Sequence, residues 1–214
     1  MGKISVRDFN DFDRKIATLK EPEEWAEIAR YSPDENFLAV GSHDNNLFVY
    51  TVTEDGKYEL YKTFSKHTSF ITSFDWSTDG EFIRTVSGDY EKLYFDVKNK
   101  VQDTNGHINL KDKEWATTSV KLGWDVQGVF PSGEDGTHVN YVSLSPDHST
   151  LVSCDDFGLL NFYRYPVLDN THQAHSYAAH SEHVVRAEFS PDGSRLWSVG
   201  GQDKALIQWR KKQQ

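Results

Sequence analysis

One pattern recurs four times along this chain and leaves few folds open to it. An aspartate stands six residues ahead of an aromatic at Asp44/Tyr50, Asp89/Phe95, Asp156/Phe162 and Asp203/Trp209. Upstream of each lies a Ser-Pro-Asp turn or its near copy, headed by Ser32, Ser77, Ser145 and Ser190. Those serines fall 45, 68 and 45 residues apart. A period of this length, filled with short strand-like runs, is one four-stranded blade of a propeller. A single blade is too small to bury both faces of its sheet, so each must lean on its neighbours. The expected fold is therefore an all-β propeller of about four blades.

Within each period, short alternating runs are separated by turn residues. In the first, 25–31, 37–41, 47–52 and 58–64 read as strands, divided by the Pro33, Asp44-Asn45-Asn46 and Asp55-Gly56 turns. The second gives 70–76, 82–87 and 92–97, the third 139–144, 150–153, 159–165 and 173–178. The last gives 184–189, 195–199 and 205–209. Two more runs, 3–6 and 15–19, precede the first period. The expected organisation is one partial propeller over 1–214, with blade units at about 1–20 (partial), 21–65, 66–110, 135–179 and 180–210. An insertion at about 106–137 lengthens the third period. It carries Trp115, Trp124 and Phe130 among several glycines, including Gly133 and Gly136. A solvated linker gains nothing from two tryptophans, so the segment is expected to be ordered and to present a partner-binding surface at those three aromatics.

The period and its aspartate are the marks of WD repeats. In such repeats a carboxylate in a tight turn accepts backbone N–H groups and pairs with a histidine. In the last blade His180, Ser198, Asp203 and Trp209 stand where that family builds a hydrogen-bonded tetrad. The second keeps His67, Ser87 and Asp89 but has Phe95 in place of an indole donor. In the first and third blades Asp44 and Asp156 hold the turn position, with Tyr50 and Phe162 as the aromatics. Phenylalanine fills volume but donates nothing, so weaker polar bracing is expected there.

Composition narrows the function. The formal net charge is −10, from 33 acidic and 23 basic residues, which disfavours a nucleic-acid backbone or an anionic membrane as partner. One cysteine, Cys154, rules out an internal disulfide and suits a reducing compartment. The N-terminus shows no basic-then-apolar leader, and the expectation is a soluble intracellular protein. No phosphate-cradling glycine motif and no nucleophile elbow is present. The cluster His172, His175, His180 and His183 suggests a metal, but its spacing does not repeat one face of a strand, and His180 already belongs to the tetrad. Asp155-Asp156 offers adjacent carboxylates whose side chains point apart. We therefore expect no catalytic residues, no metal and no cofactor. The alternatives to an interaction platform are an adaptor or signalling scaffold, or a metal-dependent enzyme on a propeller scaffold.

These repeats resemble the carboxy-terminal part of the second propeller of the echinoderm microtubule-associated protein-like family. The resemblance runs through nearly the whole chain, in segments that generic WD repeats lack. They include Arg30-Tyr31-Ser32-Pro33-Asp34, Phe37 to Asn45, Ser87-Gly88-Asp89-Tyr90-Glu91, Glu114-Trp115-Ala116-Thr117 and Leu122-Gly123. Gly128-Val129-Phe130-Pro131, Asp135-Gly136-Thr137, Asp155-Asp156-Phe157-Gly158 and Gly200-Gly201-Gln202-Asp203 complete the set. The resemblance implies a non-catalytic protein associated with tubulin, microtubules or other cytoskeletal proteins. Its expected location is the cytoplasm and the microtubule cytoskeleton, including the ciliary or flagellar axoneme.

A ring of seven such blades needs on the order of 290 residues. The chain is therefore expected to form an open arc, half of a larger propeller. The remaining blades would come from further sequence, a second polypeptide or self-association.

Overall fold

The computed structural model describes residues 2–130 and 138–210. The Pro131–Thr137 part of the insertion, with Gly133 and Gly136, and the tail beyond Arg210 lie outside the described residues. The chain divides into two compact units, 1–116 and 117–214.

The first unit opens with a hairpin of β1 (Ile4–Arg7) and β2 (Lys15–Leu19). A blade follows, made of β3 (Ala26–Tyr31), β4 (Phe37–Ser42), β5 (Leu47–Val52) and β6 (Tyr58–Phe64), antiparallel and in sequential order. The next blade contains β7 (Ile71–Trp76), β8 (Phe82–Ser87), β9 (Lys92–Asp96) and the two-residue β10 (Val101–Gln102), also sequential. A one-turn helix, α1 (Gly106–Asn109), leads into the insertion.

Between these two blades Ile28, Val49, Phe64, Phe74, Trp76, Ile83 and Phe95 form one apolar layer. The packing is close: a Cβ on Gly41 would come within 2.7 Å of Ile71. On the opposite face of the first blade, Leu38, Val40, Phe48 and Tyr50 pack with Leu19 and Ile4 of the hairpin. Alternation along a strand supplies both layers, because successive side chains point to opposite faces.

In the second unit, β11 (Val139–Leu144), β12 (Thr150–Asp155), β13 (Leu159–Arg164) and β14 (His175–Ala178) form the third blade. The last blade has three strands, β15 (Val184–Phe189), β16 (Arg195–Gly200) and β17 (Leu206–Arg210). Tyr141, Val152, Cys154, Leu160, Val184 and Leu196 fill the space between them. The other face of the third blade is covered by the insertion, whose Val126, Val129 and Phe130 pack on Val139, Val142 and Leu151.

The four Ser-x-Asp turns between the first and second strands of each blade are built alike. The Ser32, Ser77, Ser145 and Ser190 hydroxyls donate to Asp34, Asp79, Asp147 and Asp192 at 2.5–2.6 Å. Each hydroxyl also accepts the N–H five residues on, from Phe37, Phe82, Thr150 and Arg195 at 2.9–3.0 Å. Three residues after each serine the backbone is left-handed, at Glu35, Gly80, His148 and Gly193. The repeat is thus enforced by local hydrogen bonds as well as by packing.

Candidate interaction surfaces at the blade ends

The turns between the second and third strands of each blade hold the repeat's carboxylates. In the last blade Asp203 Oδ1 accepts the Ala205 N–H at 3.0 Å, while Oδ2 meets His180 Nδ1 at 2.9 Å. His180 Nε2 lies 2.8 Å from the Ser198 hydroxyl, which also accepts the Trp209 indole N–H at 2.8 Å. The Ala205 N–H and the His180 ring hold the Asp203 carboxyl below its ordinary range. These four side chains tie the loop before β15 to the second and third strands of its own blade.

The second blade departs from expectation in one partner. His67 Nε2 lies 2.6 Å from the Thr85 hydroxyl, not from Ser87. Strand pairing explains it: Ser198 is two residues before the end of β16, and the matching place in β8 is Thr85. Ser87 instead caps the turn, donating to Asp89 Oδ1 at 2.6 Å, while Thr68 donates to Asp89 Oδ2. Hydrogen bonds from Ser87 and Thr68 hold the Asp89 carboxyl at about 2. Burial pushes His67 down against the pull of Glu91, whose carboxylate lies 3.3 Å from Nδ1. Phe95 fills the indole's place fully buried.

The first blade has no histidine at the tetrad position and braces itself differently. Asp44 accepts the Asn46 and Glu23 N–H groups at 3.2 and 2.9 Å, and the buried Tyr50 donates to Glu21 at 3.0 Å.

The third blade corrects the sequence alignment by one residue. Leu151 pairs with Tyr163, as Leu38 pairs with Tyr50 and Leu196 with Trp209. Tyr163 is therefore the repeat aromatic, and Phe162 faces the neighbouring blade. A one-residue slip moves a side chain to the other face of a sheet. Phe157 occupies the aspartate's place, and Asp156 stands one residue early, accepting from Asn140 at 2.9 Å. Its turn is held by Asp155, which accepts the Phe157 and Leu159 N–H groups at 2.9 Å and the Asn161 amide at 3.0 Å.

The insertion's aromatics separate by role. Trp115 bridges to Ser77 in the antiparallel sense, and Glu114 and Ala116 make backbone hydrogen bonds with Thr78 and Trp76. Its ring lies 4.7 Å from the Arg84 guanidinium, which is itself paired with the buried Asp75 at 3.0 Å. Phe130 packs against the third blade. Trp124 is exposed, although its neighbour Asp125 is buried and accepts from Tyr165 at 2.9 Å. The three do not form one surface within either unit.

The histidine cluster disperses as well. His180 is in the tetrad, His172 lies 3.3 Å from Asp169, His183 lies 3.4 Å from Glu182, and His175 is exposed on β14. Among the described residues, no three His, Cys, Asp or Glu side chains are grouped to hold a metal. No helix among them is long and apolar enough to cross a membrane.

A surface that the sequence reading missed lies at the ends of the first two blades. The residue before each first strand sits over the following turn: His43, Gly88, Asp156 and Gly201 donate their N–H to the carbonyls of Trp25, Phe70, His138 and His183 at 2.9–3.1 Å. In the first unit this position carries exposed aromatics. The sequence signal is an aromatic immediately before a strand: the alternating pattern extends the strands back to Trp25 and Phe70, whereas β3 begins at Ala26 and β7 at Ile71.

Comparison with known proteins matches residues 1–211 to the echinoderm microtubule-associated protein second beta-propeller. The chain is 43% identical over 212 residues to the ciliary WD repeat-containing protein ctxp80 of Euplotoides octocarinatus, covering 99% of this chain and 29% of that protein. It is 44% identical over 195 residues to the 77 kDa echinoderm microtubule-associated protein of Strongylocentrotus purpuratus, covering 91% and 28%. With echinoderm microtubule-associated protein-like 4 of Homo sapiens it shares 41% over 184 residues, covering 86% and 19%. The chain thus spans less than a third of the length of these relatives. Among solved structures, a chain of the mitotic checkpoint complex aligns with a TM-score of 0.54 at 17% identity, over 99% of this chain and 57% of that one. That likeness is one of fold alone.

Proposed function

Since the chain belongs to the echinoderm microtubule-associated protein family, we propose that it is a non-catalytic interaction module, binding tubulin or other cytoskeletal proteins through loops at its blade ends. The observation that carries this reading is the family match along 1–211, which includes the insertion as well as the repeats. The geometry agrees with it. The repeat's carboxylates, serines and histidines are engaged in bracing turns, which leaves the loops between braced strands as rigidly held contact surfaces. The cytoskeleton, including cilia, is the corresponding location.

The same reading makes the chain part of a larger propeller. Among the described residues β17 has no strand on its outer edge, and an unpaired edge invites a further strand. We take that strand and the remaining blades to come from the rest of the propeller. Co-sedimentation with polymerised microtubules tests the function: the purified chain is expected in the pellet in proportion to microtubule concentration. Retention in the supernatant at every concentration would remove direct microtubule contact from the proposal.

A further inference from the structure

We infer that the stacked side chains Trp25, His43 and Phe70 form a docking surface for an arginine- or lysine-bearing segment of a partner protein. This rests on the reading of the chain as an interaction module, and it names the surface and the chemistry of what binds there.

The stack crosses from the first blade to the second. The edge of the Trp25 ring meets His43, with centroids 4.7 Å apart and planes at 85°. His43 lies face to face with Phe70, at 4.4 Å and 12°. The Phe70 ring rests against Gly88, where a Cβ would come within 2.6 Å of it. Asn45 Nδ2 donates to the Thr68 carbonyl at 3.2 Å, pinning the two loops together. The result is a preorganised row of rings. Yet Trp25 is 67% exposed and Phe70 37%, and the apolar layer between the blades is complete without either. Large aromatics held rigid but left in water, beside a layer that does not need them, have the character of interface anchors.

Charge decides what they anchor. The segments 22–27, 43–46, 65–70 and 87–91, loops with the strand ends beside them, contain Glu23, Glu24, Glu27, Asp44, Asp89 and Glu91, against the single lysine Lys66. Glu27 Oε2 lies 3.0 Å from His43 Nε2, at the middle of the row. Ring faces carry negative quadrupole density, and a cation placed over them beside carboxylates is attracted by both. The first unit uses the same combination internally, where Arg84 sits between the Trp115 ring and the Asp75 carboxylate. An acidic segment would be repelled from these loops. In the second unit the matching positions hold His138 and His183; His138 meets the exposed Phe157 ring at 5.3 Å, a pair and not a row of three.

The test uses the whole chain and a fluorescein-labelled peptide of alternating arginine and glycine, titrated by anisotropy at physiological salt. A peptide with glutamate in place of arginine is the control. The arginine peptide is expected to bind, and Trp25→Ala and Phe70→Ala each to weaken it about tenfold. Phe9→Ala, which removes an exposed ring in the loop between β1 and β2, leaves affinity unchanged. Trp25→Ala touches no buried layer and should keep the wild-type melting curve, so its loss of affinity would not be unfolding. A Trp25→Ala protein that binds the arginine peptide as the wild type does would overturn the inference, as would equal affinity for the glutamate peptide. Parallel co-sedimentation separates the two proposals. A wild-type chain that takes the peptide in a Trp25-dependent way but does not pellet with microtubules upholds this surface and removes the microtubule reading. One that pellets while its peptide affinity ignores Trp25 does the reverse.

Discussion

The second and last blades carry the same repeat and resolve it in opposite ways. The second has a fourth strand, short as it is: Gln102 of β10 pairs with Phe95, and the Phe95 ring is fully buried. Its polar brace is incomplete, because phenylalanine donates nothing to Thr85. The last blade has the whole His180–Ser198–Asp203–Trp209 brace but no strand beyond β17 among the described residues. Trp209 is correspondingly half-buried. It lines a cleft of about 580 Å³ with Phe162, Tyr177 and Phe189. Polar bracing and apolar sealing are thus separable. The brace is built within one blade from its own loop and strands, whereas sealing needs the next strand out.

The largest expected effect tests the sealing. Phe95→Ala should cost about 3–5 kcal/mol in urea denaturation, because a closed layer cannot collapse around the void. Trp209→Ala should cost about 2 kcal/mol, since the ring already meets solvent and mainly its bond to Ser198 is lost. Equal costs would mean that the open edge is sealed in solution.

The brace comes next. His180→Ala is expected to destabilise by about 1–3 kcal/mol, leaving Ser198 and Asp203 without their common partner. Thr85→Ala in the second blade should cost less, read from the same denaturation midpoints. The reverse order would mean that the incomplete brace is the stronger.

Acid separates the blades further. The folded pKa of His67 is held below its ordinary 6.5 by burial, so the unfolded chain takes up the proton first. The stability from keeping it neutral is complete above about pH 6.5 and declines as pH falls. His67→Gln should flatten that decline. Asp89 and Asp192, held at about 2 by serine hydroxyls, contribute stability that is present above about pH 4 and lost as pH falls through about 2. A midpoint measured across pH 2 to 7 should therefore show two separate falls.

The smallest effect concerns the turns. Glu35 and His148 have φ of 60° and 54° where the matching residues are Gly80 and Gly193. Glu35→Gly or His148→Gly should raise stability by up to about 1 kcal/mol, relief of left-handed strain outweighing the added chain entropy. A loss would show that the side chains make compensating contacts.

Much of the fold was legible because turn chemistry and alternation agree in every period. Serine, aspartate and a left-handed residue recur at fixed offsets, and a four-stranded blade follows from them. Spacing along the chain and pairing between strands diverge in the second and third blades. Asp156 and Phe162 keep the six-residue interval, but pairing of Leu151 with Tyr163 shifts the register by one. Ser87 and Thr85 are both hydroxyls near the end of β8, and only the pairing register shows that Thr85 is the one beside His67. Trp115, Trp124 and Phe130 are close in sequence, yet Trp115 packs on the second blade, Phe130 on the third, and Trp124 is exposed. Exposure depends on what lies opposite a residue, and that is set by long-range packing. The Trp25–His43–Phe70 row spans 46 residues of chain, beyond what local pattern conveys.

Cys154 lies in the layer between the third and last blades with no exposed surface, and burial pushes its thiol up. Both effects suppress the thiolate that reagents attack. Its alkylation therefore waits on separation of those two blades, and the labelling rate becomes a clock for that opening. The first unit contains no cysteine, so the clock reads the second unit alone, in unmodified protein, and would slow if another strand settled on β17.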